Sequence, residues 1–378
     1  MSNPAPRTRP VPMVAVGPDD AQERALWIEA LSTAIDESSF CLGSAVDRFE
    51  AACRDRLAVP HAIGMNSGTD AIRLGLQAVG IGAGSRVVVP AYSFFATASS
   101  VAHLGATPIF VDVDPGTGLI DAAAAVAAME AGADAVIPVH LYGQGAEMET
   151  ILAAAARTGT RVIEDSAQSF GVEYRGRMLG TLGDAGAYSF YPTKNLGAAG
   201  DAGLAVSRDD EIAARIRSLR VHGDAGGYDH RSLGWNARMD GFQGAILSVK
   251  LARLAEVEAA RARNVEAYLA ALSAHDLLER ARPLARAPGS AHCWHQFIVR
   301  IRERERVRDA LTGAGIGSGL YYPGILPTQP VFSSLGHRAD EFPAATELAE
   351  TALALPIHHR LEPGDPERVV EVIAGALR

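Results

Sequence analysis

Short, almost continuously apolar runs alternate with helical segments between about residue 66 and residue 207. The runs are RVVVPAY, TPIFVDVD, DAVIPVHLYG, RVIEDSAQ, GAYSFYP and GLAVS. A strand with one solvated face alternates apolar and polar residues, so runs without alternation predict strands that are buried on both faces. The segments between them, such as DAAAAVAAMEAG and METILAAAARTG, predict helices that cover the sheet. The pattern therefore predicts an α/β domain with a mostly parallel sheet.

The pattern changes beyond about residue 240, where residues 239–278 predict one long amphipathic helical stretch. A strand-like run, HQFIVRI, and the helix-like segments RERVRDALTGAG and PERVVEVIAGAL follow it. Near the start of the chain, AQERALWIEALSTAID predicts a helix. Its apolar residues on or near one face are Trp27, Ile28, Leu31 and Ile35. We expect a flexible N-terminal arm at residues 1–12, a large α/β domain at residues 13–250 and a smaller α+β domain at residues 251–378.

The composition indicates a soluble globular protein of a reducing cytoplasm. The 378 residues are 48% hydrophobic and 21% charged, far from the composition of disordered chains. A net charge of −9 disfavours nonspecific binding to nucleic acid or to an anionic membrane. The three cysteines have no CxxC spacing, so they predict neither a metal site nor a disulfide framework. The sequence contains no signal-peptide pattern and no run of about 18 apolar residues.

A small polar turn at residues 66–76, NSGTDAIRLGL, leads directly into a helical pattern. The first amides of a helix lack partners within it and lie at the positive end of its dipole. Gly68, Thr69 and the amides that follow therefore suit a phosphate group. An ordinary helix cap explains the same turn.

Two carboxylates, Glu164 and Asp165, come directly after the buried run RVI. Side chains alternate along a strand, so one of the pair should face a site at the strand end and the other should face away. The neighbouring sequence offers no further metal ligands. A buried carboxylate that faces a cationic ring nitrogen is the other arrangement that accounts for such burial.

Only two of the 35 basic residues are lysines, Lys194 and Lys250. Lys194 follows the run GAYSFYP in an apolar and glycine-rich context that is unusual for a solvated lysine. An amine forms a Schiff base with an aldehyde, whereas arginine stays protonated and does not. Lys250 lies in a helical pattern, and we expect it to be solvated or to face a dimer partner.

A phosphate-binding turn, a strand-end aspartate and an isolated lysine together suit pyridoxal phosphate. Lys194 would hold the aldehyde as an internal aldimine and, once released, would carry the proton between substrate and cofactor. Asp165 would keep the pyridine nitrogen protonated, so that the ring accepts electrons. The segment PAYSFFAT supplies candidates for an aromatic ring stacked on the cofactor, although Phe94 and Phe95 equally suit a core.

Several motifs, taken in order, resemble those of the DegT/StrS-type nucleotide-sugar aminotransferases, which are fold type I pyridoxal phosphate enzymes. They are the segment from GSAVDRFE to GTGLID, then PVHLYGQ, VIEDSAQSFG, SFYPTKNLGAAGDAG and GWNARMDGFQGAIL. The resemblance runs from about residue 10 to the C-terminus. It implies a large domain with a seven-stranded, mostly parallel sheet flanked by helices, a smaller C-terminal α+β domain, and a homodimer with shared active sites.

Matched position by position, the resemblance implies that Lys194 is the Schiff-base lysine and Asp165 the partner of the pyridine nitrogen. Gln168 matches the residue that contacts the ring hydroxyl, and Phe94 matches the stacking aromatic. The remaining positions implied to contact the phosphate are Gly68, Thr69, Ser189 and, for the cofactor of the partner subunit, Asn236.

The resemblance also implies amino transfer from an amino acid, most often L-glutamate, to a keto sugar carried on a nucleoside diphosphate. Residues 220–240 resemble members that act at C3 of the hexose, so we expect a dTDP- or UDP-linked 3-keto-deoxyhexose. Such amino sugars occur in antibiotic biosynthesis. Three arginines of this segment, Arg220, Arg231 and Arg238, suit a diphosphate. Candidate substrate contacts are Tyr228, Arg238, His295 and Tyr321.

Two alternatives stay open at the level of the sequence. One keeps the cofactor and replaces the sugar by a keto-cyclitol of the scyllo-inosose type. The other is a noncatalytic pyridoxal phosphate-binding regulator, although the chain has no helix-turn-helix motif or basic run of the kind that binds DNA.

Overall fold

The structure is a computed structural model that describes residues 9–378. The helices are α1 Ala21–Asp36, α2 Ser44–Leu57, α3 Gly68–Ala78, α4 Phe95–His103, α5 Ala122–Glu130, α6 Met148–Thr158, α7 Asp210–Arg220, α8 Gly241–Leu251, α9 Leu254–Ala274, α10 Arg304–Gly313, α11 Pro343–Thr351 and α12 Asp365–Leu377. The strands are β1 His61–Met65, β2 Arg86–Pro90, β3 Thr107–Val111, β4 Ala135–Val136, β5 Arg161–Asp165, β6 Glu173–Tyr174, β7 Arg177–Met178, β8 Ala185–Ser189, β9 Gly203–Ser207, β10 Arg282–Pro283, β11 Phe297–Arg300 and β12 Ala352–Leu355. Short 3-10 turns lie at Leu141–Gly143, Leu326–Thr328, Pro330–Leu335 and Ala339–Glu341.

A seven-stranded sheet forms the centre of the described chain, in the order β1-β9-β8-β5-β4-β2-β3. The pairs from β8 across to β3 are parallel, whereas β9 runs antiparallel to both β8 and β1. The strands are buried almost throughout; every residue of β9 is buried, as are the last four residues of β2 and β5. The predicted mostly parallel α/β sheet is therefore confirmed.

Two elements differ from the sequence pattern. β1 precedes residue 66, at which the predicted alternation of strands and helices begins, and its run, HAIGM, contains Gly64. The single long helix expected over residues 239–278 is wrong, since the chain turns at Ala252 and Arg253 between α8 and α9. No Pro or Gly marks this turn. Its origin is tertiary: α8 packs on α1 and α2, while α9 packs on α12.

The C-terminal part has its own antiparallel sheet, in the order β10-β11-β12. Apolar residues of β11, β12, α9, α10 and α12 form one core cluster, which Val11 joins from the N-terminal segment. Val11 N donates to the Gly315 carbonyl at 3.0 Å. Residues 1–8 of the predicted arm lie outside the described residues, and the division into domains at residue 250 stays a prediction. Within residues 9–378, no helix combines the length and the apolar character of a membrane span.

Helix α1 packs on α8 through the face that carries Glu23 and Ala34, both buried. Ile28 and Ile35 on the predicted apolar face remain 47% and 54% exposed. The prediction that Lys250 of α8 is solvated is wrong, because its side chain is partly buried and Nζ donates to the Gly197 carbonyl at 2.6 Å.

Candidate active site

A cavity of about 490 Å³ opens at the carboxyl ends of the parallel strands, the edge at which α/β sheets bind ligands. β5 and β8 end there at Asp165 and Ser189. A surface depression of about 580 Å³ lies at the opposite edge, where Arg161 and Asp184 pair with each other. The predicted site residues that line the first cavity are Gly68, Thr69, Phe94, Asp165, Gln168, Ser189, Lys194, His295 and Tyr321.

Asp165 is only 5% exposed and is held by two hydrogen bonds. Thr97 Oγ1 donates to Oδ2 at 2.8 Å, and the Ala167 N–H donates to Oδ1 at 3.1 Å. Burial raises the pKa of the Asp165 carboxyl above its ordinary value, although the Thr97 bond and the Lys194 charge oppose the shift. A cation placed beside this carboxylate would offset the cost of its burial.

Glu164 faces away from the cavity, as the alternation of a strand predicts. Its two oxygens accept the N–H groups of Gly180, Leu182 and Gly183 at 2.6 to 2.7 Å. His140 Nε2 completes the set at 2.9 Å. The Glu164 carboxylate thus has four hydrogen-bond partners within the protein and holds the chain that follows β7 in place. Asp165, by contrast, faces the cavity.

Lys194 lies in a loop that is closed at its base, where Ala198 N donates to the Phe190 carbonyl at 2.7 Å. Its Nζ has no hydrogen-bond partner within residues 9–378. Burial lowers the pKa of the Lys194 ammonium to about 8, although the negative charge of Asp165 opposes the shift. A lysine with such a pKa is a neutral nucleophile for a larger fraction of the time than a solvated lysine.

The turn before α3 presents main-chain donors to the cavity. Ser67 is the N-cap and accepts the Asp70 N–H at 3.1 Å, while the Gly68 and Thr69 N–H groups have no partner within the described chain. A methyl group on Gly68 would lie 2.7 Å from Ser189 Cβ, so only glycine permits this approach of α3 to β8. The two free N–H groups, the Ser189 hydroxyl and the positive end of α3 meet the needs of a phosphate.

Gln168 and Phe94 lie on other walls of the cavity. Tyr322, which the sequence analysis did not single out, contacts both of them. Gln168 Nε2 donates to the Tyr322 hydroxyl at 3.1 Å, and Gln168 Oε1 accepts the Tyr142 N–H at 2.6 Å. The ring centres of Phe94 and Tyr322 are 5.8 Å apart. Phe94 is 55% exposed, so it is not a core residue and its ring is free to stack on a ligand.

Three predicted residues do not line the cavity. Asn236 is exposed, and Tyr228 is 89% exposed with its ring against His230. Arg238 pairs through its main chain with Met65, beside the turn that carries Gly68. Of the arginines expected to suit a diphosphate, Arg220 is instead committed to Glu50 and to the Gly64 carbonyl at 2.9 and 2.8 Å.

On the side of the C-terminal sheet, His295 lines the cavity with Gln296. Burial lowers the pKa of His295 well below its ordinary value, so the ring is neutral. Its Nδ1–H donates to Asn195 Oδ1 at 3.3 Å, which leaves Nε2 as an acceptor. Gln296 is 7% exposed, and its Oε1 has no hydrogen-bond partner within the described residues.

The residues present fit pyridoxal phosphate. Within residues 9–378, Lys194 offers an unpartnered amine for the aldehyde, Asp165 a buried carboxylate for the ring nitrogen, and the N-terminus of α3 unpartnered donors for the phosphate. These three groups surround one cavity, and the exposed Phe94 ring borders it.

Comparison with known proteins agrees with this geometry. The family model of the DegT/DnrJ/EryC1/StrS aminotransferase family matches residues 21–374. A pleiotropic regulatory protein of Geobacillus stearothermophilus is 42% identical over 96% of this chain and 98% of its own length. A UDP-N-acetyl-3-dehydro-alpha-D-glucosamine 3-aminotransferase of Acidithiobacillus ferrooxidans is 40% identical over 97% and 98%.

Among solved structures, DesV of S. venezuelae, determined in complex with a ketimine intermediate, superposes with a TM-score of 0.93. It is 34% identical, and the match covers 98% of this chain and all of the other. The fold expected from the resemblance is confirmed. The chain belongs to the DegT/DnrJ/EryC1/StrS aminotransferase family, and it is a pyridoxal phosphate-dependent sugar aminotransferase.

Proposed function

We propose that this enzyme transfers an amino group from an amino acid such as L-glutamate to the C3 keto group of a keto-deoxyhexose carried on dTDP or UDP. The observation that carries the chemistry is the unpartnered Lys194 amine, which shares one cavity with the buried Asp165 carboxylate. The C3 position is supported by relatives whose names give that carbon, among them the 3-aminotransferase of Acidithiobacillus ferrooxidans.

When bound, pyridoxal phosphate supplies an electron sink for the electrons left when the substrate loses a proton. Lys194 Nζ holds the coenzyme covalently and, when free, moves the proton at the substrate carbon. Asp165 would keep a proton on the ring nitrogen, while the Thr97 hydroxyl holds the carboxylate in place and opposes the rise in its pKa that burial causes. Gly68, Thr69 and Ser189 bind the phosphate through N–H and hydroxyl donors.

The sugar is proposed to bind on the side of the C-terminal sheet, between Tyr321, His295 and Gln296. The neutral His295 ring accepts a hydrogen bond at Nε2, Gln296 borders the same cavity, and a hexose offers hydroxyl donors. Tyr228 and Arg238 lie outside this cavity, and they stay proposed as contacts of the nucleotide beyond it. Replacing Gln296 by Leu should raise the KM for the sugar and leave the KM for glutamate unchanged.

A homodimer with shared sites is part of the proposal, with Asn236 reaching the phosphate of the partner's cofactor. Its support is the exposed position of Asn236, two residues before Arg238, which pairs with Met65 beside the phosphate-binding turn. Mixing a Lys194→Ala chain with an Asn236→Ala chain tests it, because each hybrid dimer would regain one intact site. Random pairing should restore about a quarter of wild-type activity. Unshared sites would give no such recovery.

Assays with 3-keto and 4-keto sugars on dTDP and UDP, with scyllo-inosose and with several amino donors test the substrate. We expect kcat/KM to be at least about a hundredfold higher for a 3-keto nucleotide sugar, a difference of about 2.7 kcal/mol in transition-state binding. A preference for scyllo-inosose would instead assign a cyclitol acceptor. Failure of every donor to react would overturn amino transfer and favour a regulatory role.

A further inference from the structure

The loop that carries Lys194 is supported from behind by helix α8. Two residues of α8, seven positions apart and therefore on one face, contact it. Gln243 Oε1 accepts the Ala199 N–H at 3.0 Å, and Lys250 Nζ donates to the Gly197 carbonyl at 2.6 Å. The two lysines of the chain thus meet at one loop.

Lys250 is fixed on its other side by helix α1. Its Nζ lies 5.6 Å from the centre of the Trp27 ring, within reach of a cation–π interaction. Glu23 orients that ring, because Trp27 Nε1 donates to Glu23 Oε1 at 3.2 Å. Burial lowers the pKa of the Lys250 ammonium. The negative charges of Glu23 and Asp19 oppose this shift and so favour the charged form.

A small cavity of about 20 Å³ lies between these elements, and Lys194 lines it as well as the active-site cavity. Apart from the two lysines, its charged and titratable residues are Asp19, Glu23, Arg253, Arg261 and His359. Arg253 pairs with Glu23, Asp20 and Glu256, so it adds charge to the cavity without a hydrogen bond to the loop.

The position of Gly197 makes the contact consequential for Lys194. A side chain at Gly197 would lie 2.4 Å from the Pro192 carbonyl, so the loop is tightly folded between these residues. Lys194 N donates to the Tyr191 carbonyl at 2.8 Å, and Asn195 Nδ2 donates to the Cys293 carbonyl at 2.7 Å. The Gly197 carbonyl, which Lys250 contacts, is therefore three residues from Lys194 in the same tightly folded loop, and displacing it would displace Lys194.

We propose that Lys250 is a positioning residue, whose ammonium group ties the Lys194 loop to helix α1 and so holds Lys194 Nζ in the active-site cavity. The compact ammonium of Lys250 lies on a flexible stem, so it reaches the Gly197 carbonyl and the Trp27 ring together. The inference depends on the proposed role of Lys194, and it adds to that role a residue that touches neither substrate nor cofactor.

The test is hydrogen exchange of the holoenzyme, read by mass spectrometry, for Lys250→Met and for the control Arg253→Met. Both substitutions remove one positive charge from the small cavity, but only the first removes a bond to the loop. In Lys250→Met, the amides of residues 190–199 should exchange about tenfold faster, as expected for a lost hydrogen bond to a charged group. The amides of β2 and β5 should be unchanged. Arg253→Met should leave the loop amides at wild-type rates.

A second readout separates positioning from simple destabilisation. The pH midpoint of the visible absorbance band of the holoenzyme should shift by at least half a pH unit in Lys250→Met and remain at the wild-type value in Arg253→Met. If Lys250→Met does not fold, Lys250→Gln, which keeps an N–H donor, is measured in the same way and should show a smaller effect. Faster exchange throughout the chain, or an unshifted midpoint, would overturn the inference. If borohydride reduction of the wild-type holoenzyme attached the coenzyme to a residue other than Lys194, that result would instead reject the role of Lys194.

Discussion

Gly68 on α3 and Ser189 at the end of β8 approach so closely that a methyl group on Gly68 would lie 2.7 Å from Ser189 Cβ. The same methyl group would be 3.1 Å from Ser189 Cα and 3.3 Å from the Tyr188 carbonyl. Neither backbone atom moves without displacing a buried strand. This contact holds α3 against β8 beside the proposed phosphate-binding site.

Replacing Gly68 by Ala should therefore both destabilise the fold and weaken cofactor binding. Overpacking of this kind costs about 1 to 3 kcal/mol in the free energy of unfolding. A loss of the same size in binding would raise the Kd for pyridoxal phosphate by about five- to 150-fold. Titration by absorbance and urea unfolding measure the two effects. Gly82→Ala is the control, because no atom of residues 9–378 lies within 4 Å of a methyl group there.

The bond from Thr97 to Asp165 predicts a second effect. Thr97→Val keeps the shape of the side chain but removes the donor, which helps to hold the pKa of Asp165 down. Hydrogen bonds to charged groups contribute about 1.5 to 3 kcal/mol, so kcat should fall by about ten- to a hundredfold. The acid limb of the kcat/KM profile should move to higher pH.

Thr97→Ser retains the hydroxyl and should restore most of the rate. A valine variant whose acid limb coincides with that of the wild type would show that Thr97 does not govern the ionisation of Asp165.

The lowered pKa of Lys194 predicts a pH dependence of the stability of the apoenzyme. The folded state releases this proton at about pH 8, whereas a lysine in the unfolded chain releases it near pH 10.4. Between these values the unfolded chain binds more protons, so the contribution of Lys194 to the free energy of unfolding rises with pH. Below pH 8 the buried charge opposes folding.

Lys194→Met removes this charge, so the variant should gain most over the wild-type apoenzyme below pH 8 and progressively less toward pH 10.4. Urea unfolding of both proteins at several pH values measures the difference. A difference that stays constant with pH would mean that the Lys194 ammonium is fully solvated in the fold.

Tyr322 accepts a bond from Gln168 and lies against Phe94, so it joins two residues that are expected to contact the cofactor ring. Tyr322→Phe should leave the ring contact in place and release the Gln168 amide. We expect cofactor affinity to fall by about three- to tenfold, the effect of one neutral hydrogen bond. The thermal midpoint of the apoenzyme should change little. An unchanged affinity would indicate that Gln168 is held by Tyr142 alone.

The sequence predicted those features that local patterns encode. Strands buried on both faces leave continuous apolar runs, and the residues that end them, Asp165 and Ser189, lie at the expected edge of the sheet. The alternation of Glu164 and Asp165 follows from strand geometry alone. The antiparallel direction of β9 was not predicted, because apolar runs carry no information on direction.

Residues that act through long-range contacts were missed. Thr97 is 68 positions from Asp165, and Tyr322 is 154 positions from Gln168. Neither residue stands at a spacing, or beside a residue, that predicts a role in the site. The solvated position, one of the two alternatives expected for Lys250, is wrong for a related reason, since its helical pattern gives its face but not the loop that covers it. Its rarity, as one of two lysines in an arginine-rich chain, was the one available signal.

The central claim is that Lys194 holds the coenzyme, and the presence of only two lysines makes a direct measurement possible. The holoenzyme is reduced with borohydride, which makes the linkage to the coenzyme permanent, and its peptides are mapped by mass spectrometry. We predict one pyridoxyl group per chain on the peptide that contains Lys194 and none on the peptide that contains Lys250. A pyridoxyl group on Lys250, or an unlabelled chain, would contradict the claim.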